Sequence, residues 1–178
     1  NFKGSTAARV HNIKVGAKKL NHIMIPSGGE FSFNDNIGEI DAAAGYLPGL
    51  VIKGDKLIPE YGGGICQVAT TMFRAAIYLG APIIERKNHS IPVQFYNPQG
   101  FDATIYPGVV DLRFKNDTPS NVLIQSHVVG NVITFEMYGT SDERKITLDG
   151  PRSYDYQPDG ALKAVFTRNI ARVDGTVD

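Results

Sequence analysis

YGGGICQVATTMFRAAIYLG, residues 61–80, decides how the chain is put together. Three consecutive glycines are followed by the only cysteine of the chain and then by an apolar stripe at helical spacing: Val68, Met72, Ala75, Ala76 and Leu79, widened by Ala69 and Phe73. Such a stripe predicts a helix buried on several sides, closed by Gly80 and Pro82. The glycines let the backbone turn through conformations barred to other residues, so Cys66 is delivered to the helix N-terminus. There the free backbone N–H groups and the positive end of the helix dipole favour a thiolate.

Working outward, residues 7–20 carry apolar side chains three and four apart and predict an amphipathic helix capped by Ser5 or Thr6. Residues 23–33 read as a short strand, a Pro-Ser-Gly-Gly turn and an extended segment in which Phe31 and Phe33 alternate. Between Asn34 and Glu60 the reading is mostly loop, with one hairpin whose turn is Gly54-Asp55. Beyond the core helix, residues 82–98 predict one strand interrupted at Pro92. Alternation then marks strands at 111–115, 122–129 and 132–138, with Gly130-Asn131 as a tight turn. Past Gly139 the chain turns polar, with one more alternating stretch at 162–168. The expected fold class is α+β: a central core helix starting at Cys66, packed on a mainly antiparallel sheet in a papain-like or transglutaminase-like order of elements.

Eighteen basic and eighteen acidic residues cancel, and no basic run exceeds two residues, so the electrostatic footprint of a nucleic-acid binder is missing. No apolar run approaches the roughly 20 residues that span a bilayer. The chain opens at Asn1 rather than Met, so it is expected to be a piece of a longer protein. One cysteine rules out an intrachain disulfide and multi-cysteine zinc sites. His11, His22 and His127 are scattered, none with a second ligand at metal-binding spacing, and GGGICQVATT lacks the Lys-Ser/Thr ending of a phosphate-binding loop. No cofactor and no metal are expected.

Cys66 followed in chain order by His89 and Asp102 has the logic of a thiol hydrolase. His89 would take the thiol proton and pass it to a leaving amine, and Asp102 would fix the imidazole tautomer. The N–H groups of Cys66 and Gln67, with Gly64 leaving room, would bind an oxyanion. The bland readings are a buried filler thiol, a structural His89 and a turn-capping Asp102, with Asp111 as a competing orienter. Asn34, Tyr46, Glu60 and Tyr61 are expected to line the cleft.

The segments RVHNIKVGAKKLN, IPSGGEFSFNDNIG, GYLPGLVIKGDKL, YGGGICQVATTMFRAAIYLGAPIIERKNHS, FDATIY and DLRFKNDTPSNVLIQ together resemble the VanW family. The likeness runs from about residue 7 to about residue 139, so residues 1–139 read as one VanW-like domain. Residues 140–178 read as a C-terminal extension or as extra strands of that domain. The resemblance points to Gly62, Gly63, Gly64, Cys66 and Gln67, to His89 and Ser90, to Asp102 and Thr104, and to Asp111. It implies a bacterial protein working outside the cytoplasm, membrane-anchored or wall-associated through segments outside this chain. In that compartment the layout would be similar to NlpC-type papain-like peptidases or L,D-transpeptidases. The expected activity is therefore a cell-envelope thiol hydrolase or transpeptidase acting on amide bonds of peptidoglycan stem peptides. The alternative is a non-catalytic module that binds peptidoglycan or another wall polymer, or a scaffold. Neither reading sets the oligomeric state.

Overall fold

The computed structural model describes residues 1–53 and 56–177. Helix α1 (Ala7–Lys19) starts where the Thr6 hydroxyl accepts the Arg9 amide at 3.3 Å. It buries Asn12, Ile13, Gly16 and Ala17. Strands β1 (Ile23–Ile25) and β2 (Glu30–Ser32) follow, then a short helix α2 (Phe33–Ile37). Strands β3 (Pro48–Lys53) and β4 (Lys56–Tyr61) pair as an antiparallel hairpin, and its expected Gly54-Asp55 turn lies outside the described residues. Helix α3 (Ile65–Leu79) is the central element. After it come β5 (Ile83–Glu85), a 3₁₀ turn at Gln94–Tyr96, β6 (Arg113–Lys115), β7 (Val122–Val129), β8 (Val132–Tyr138), β9 (Lys145–Tyr154) and β10 (Lys163–Ala171).

All strand pairs are antiparallel. They form two three-stranded sheets, β1-β7-β8 and β2-β6-β5, and the two hairpins β3-β4 and β9-β10, so the fold class is α+β. Helix α3 lies at the centre with Val68, Ala69, Met72, Phe73 and Ala76 all at most 1% exposed. It packs on α1 so closely that a Cβ on Gly16 would come within 2.8 Å of Ile65 Cδ1. Its end is closed by Gly80 at φ 78°, with the Gly80 and Ala81 amides returning to the Ile77 and Ala76 carbonyls at 3.0 Å.

Three expectations need correction. Phe33 starts α2 rather than continuing a strand, because the Ser32 hydroxyl accepts the Asp35 amide at 3.1 Å and caps a helix that buries Phe33 and Ile37 one turn apart. Residues 82–98 do not make one interrupted strand. The ladder stops at Glu85, a single bridge joins Lys87 to Thr104, and the His89 amide bonds the Asp102 carboxylate at 2.9 Å instead of a strand partner. The expected strand from Asp111 begins only at Arg113, since Asp111 spends its carboxylate on Ser32, Asn34 and Leu112.

The polar segment after Gly139 holds a strand that composition hides. Strand β9 pairs with β10, and the two turn Ile146, Leu148, Phe166 and Ile170 toward the body. Phe166 sits edge-on to Phe73 and Phe101 at 6.4 and 5.1 Å, and Arg168 donates to the Ala81 carbonyl at 2.8 Å. Asp117 ties down the open end of the hairpin through Arg144 at 2.7 Å and Arg172 at 3.1 Å. The Phe166→Ala substitution should therefore lower the unfolding free energy in urea by about 2–3 kcal/mol. Tyr156→Ala, at a side chain 70% exposed, should change it by less than about 0.5 kcal/mol. A loss that small at Phe166 would mean that the hairpin does not rest on α3.

Candidate active site

The glycine run is pinned before α3 begins. Asn12, fully buried on α1, donates to the Leu47 and Gly63 carbonyls at 2.9 and 3.1 Å and accepts the Leu47 amide at 2.8 Å. At Gly63 a Cβ would lie 2.9 Å from the Leu50 carbonyl, so only glycine lets β3 approach. Gly64 is the N-cap residue, left-handed at φ 109°, and a Cβ there would lie 2.9 Å from Arg9 Cγ. Its own side chain caps nothing, and Cys66 follows as the second residue of the helix.

Cys66 is partly buried, with Sγ 3.6 Å from Thr104 Oγ1 and 3.7 Å from the Ile105 carbonyl oxygen. His89 lines the same cleft as the thiol, and the two groups interact electrostatically. Its Nδ1 lies 2.6 Å from Asp102 Oδ2, the same oxygen that accepts the His89 backbone N–H. An ionised carboxylate can only accept, so Nδ1 carries a proton and Nε2 is left to the sulfur. The imidazole also stacks on Tyr96, ring centroids 4.7 Å apart. Arg86 fixes Asp102 in turn: Nε donates to its carbonyl at 2.7 Å, and Nη2 reaches Oδ1 at 3.5 Å and the Gly100 carbonyl at 2.6 Å. The Thr70 hydroxyl on α3 holds the next residue, Ala103, at 3.1 Å.

The electrostatics follow from this packing. Burial pushes the Cys66 thiol up, but the His89 imidazole and the Thr104 hydroxyl more than offset it, and the net shift is downward. Burial pushes His89 down, yet Asp102 and Cys66 together raise it to about 9. Burial raises Asp102, while its two bonds from His89 and the Arg86 guanidinium lower it overall. All three shifts favour a thiolate–imidazolium pair backed by a carboxylate–guanidinium pair, four charges that alternate and sum to zero.

Cys66 and His89 open onto a cleft of about 630 Å³, within the usual size of ligand pockets. Leu50, Val51 and Tyr61 of the β3-β4 hairpin form one wall, and Val93, Phe95 and Tyr96 form another. Of the expected lining residues, Glu60 and Tyr61 are there. Tyr46 is instead buried in the core, and Asn34 donates to the Val110 carbonyl at 2.9 Å. Among the positioning candidates, Gly64 lines the cleft. The Gln67 amide already donates to the Gly64 carbonyl at 3.0 Å, and its side chain clamps Arg9 and the Asn1 carbonyl at 2.7 and 2.9 Å. Ser90 is exposed and outside the cleft lining. Asp111 does not reach His89; its carboxylate serves Ser32, Asn34 and Leu112. Arg9, Asn12, Arg86, Phe95 and Tyr96 are supporting residues that sequence reasoning missed, since no spacing links them to Cys66. Among the described residues no group of three or more His, Cys, Asp or Glu could hold a metal ion, and no helix is long and apolar enough to cross a membrane.

Comparison with known proteins places this geometry in a family. The chain is 36% identical over 140 residues to the uncharacterized protein YoaR of Bacillus subtilis, a match covering 78% of this chain and 46% of that protein. It is 32% identical over 160 residues to the vancomycin B-type resistance protein VanW of Enterococcus faecalis, covering 87% of this chain and 52% of that protein. The chain thus spans about half the length of the curated relatives it matches. No solved structure matches it significantly. The sequence profile described as VanW like protein matches residues 8–138, a span that contains Cys66, His89, Asp102 and Thr104, and the chain belongs to the VanW family.

Proposed function

We propose that the chain is a thiol acyl-transfer domain, a hydrolase or transpeptidase acting on amide bonds. The observation that carries this reading is that His89, held on Nδ1 by the Asp102 carboxylate at 2.6 Å, lines the same cleft as the sulfur of Cys66. A packed filler thiol needs neither an imidazole held in one tautomer nor a glycine-built helix start.

The chemistry runs in two halves. The Cys66 thiolate adds to the amide carbonyl carbon, forming a C–S bond and leaving negative charge on oxygen. That oxygen faces the Cys66 N–H at the positive end of α3, with the Thr104 hydroxyl as a second donor. His89 gives its Nε2 proton to the amide nitrogen, the C–N bond breaks, and the amine departs, leaving a thioester. Water or a second amine then attacks the thioester carbonyl, His89 takes the incoming proton, the C–S bond breaks, and the thiolate–imidazolium pair returns. Water gives hydrolysis and an amine gives transpeptidation. The substrate proposed for the site is a peptidoglycan stem peptide, met outside the cytoplasm. The support is that one relative bears vancomycin resistance in its name.

Alkylation of Cys66 by iodoacetamide reads the thiolate directly, because the chain has no other thiol. The native rate should reach half its plateau well below the ordinary thiol value of about 8.5. In His89→Ala the midpoint should return toward that value, with at least a tenfold fall at about pH 6. A native midpoint at or above about 8.5 would sink the proposal. Asp102→Asn should lower the imidazole from about 9 toward its ordinary value of about 6.5 and carry the thiol midpoint upward with it. Histidine NMR titration would check the first and alkylation the second. The sign is fixed by the pair: with His89 raised to about 9, its proton is available to the leaving amine below that pH and lost above it.

A further inference from the structure

The four charges at the thiol cancel, yet the cleft holds one more cation. Arg9, from the first turn of α1, lines the cleft with its aliphatic stem against Gly64, the cap of the cysteine helix. Its guanidinium lies 4.1 Å from the Phe95 ring centroid. Nη1 donates to Ser5 Oγ at 2.6 Å, and Nη2 donates to Gln67 Oε1 at 2.7 Å. Every one of these acceptors is neutral. A guanidinium has five donor hydrogens, so the clamp orients the fork without using it up. Arg86, Arg113, Arg144, Arg152 and Arg172 each meet a carboxylate, whereas Arg9 meets none among the described residues.

We propose that Arg9 is the carboxylate-binding residue of this cleft, so that the substrate attacked at Cys66 carries a free carboxylate near its scissile amide. The proposal rests on the acyl-transfer reading of the same site. Arg9 is held through Gln67 and Gly64 beside the start of α3 and lines the same cleft as Cys66 and His89, so a carboxylate on it shares the cleft with the reacting groups. Stacking on Phe95 presents the edge of the fork and keeps its face dry, the arrangement that suits bidentate binding of a carboxylate. The helix N-terminus adds to the preference for an anion. Glu39, from the segment after α2, and Glu60, from β4, are the carboxylates that line the same cleft.

Two reagents of nearly the same size separate the charge from the thiol chemistry: iodoacetate and iodoacetamide, used on native protein at fixed pH and ionic strength. The ratio of their rates should fall about tenfold in Arg9→Gln and by less than about threefold in Arg9→Lys, a tenfold change being one ordinary ion pair. The iodoacetamide rate should hold within twofold, which also reports that the site is folded. An unchanged ratio in Arg9→Gln would overturn the proposal. If Cys66 were inert to both reagents, the acyl-transfer reading would fail, and the anion site would be decided by NMR titration with N-acetylglycinate and N-acetylglycinamide. Amide shifts at Phe95 and Gln67 that need the carboxylate, and vanish in Arg9→Gln, support an anion site; equal shifts with the neutral probe, or none with either, overturn it.

Discussion

One carboxylate oxygen, Asp102 Oδ2, takes both the ring Nδ1–H and the backbone N–H of His89. These two hydrogen bonds let the chain leave the β5 ladder and still hold an imidazole in one position. A strand would have alternated its side chains and placed neighbours by sheet register. Here a side chain substitutes for the ladder, and the freed backbone carries His89 to the sulfur. Because Arg86 grips the same aspartate and Thr70 of α3 grips Ala103, Asp102 is fixed to the helix that carries Cys66.

The nucleophile is placed by an equally local device. The helix start has no side-chain cap; the Ile65 and Gln67 amides turn back to the Gly62 and Gly64 carbonyls on either side of Cys66. Gly64 caps that start with its backbone, Gly63 lets the β3 backbone close over it, and Asn12 holds the Gly63 and Leu47 carbonyls from α1. The same crowding that excludes a Cβ at Gly64 presses the stem of Arg9 against the cap. Cys66 and Arg9 therefore meet at one helix start, Arg9 through Gln67 and Gly64.

Much of this was legible in the sequence because it is written in short-range rules. The apolar spacing of α3, its glycine entry and exit, the Gly130-Asn131 hairpin and the alternation of β7 and β8 are each set within a few residues. The nearness of Cys66, His89 and Asp102 could be guessed from residue types and chain order. The choice of Asp102 over Asp111 could not, since it depends on which loop crosses α3. Strand β9 was hidden because both its faces are rich in polar side chains and only Ile146 and Leu148 mark the inner one. Gln67 looked like an oxyanion donor by position, but its amide is turned into the tight first turn by the left-handed Gly64. Arg9 and Asn12 lie more than fifty residues before the thiol and reach it only because α1 packs across the start of α3.

The central claim is that Cys66 and His89 exist as a thiolate–imidazolium pair at neutral pH. The ultraviolet absorbance of the thiolate, followed by pH titration against Cys66→Ser as the blank, tests it without any reagent entering the cleft. The account predicts that the absorbance persists at about pH 6 in the native chain and disappears there in His89→Ala. Absorbance that emerges only near the ordinary thiol value of about 8.5, with the same midpoint in both proteins, would contradict it.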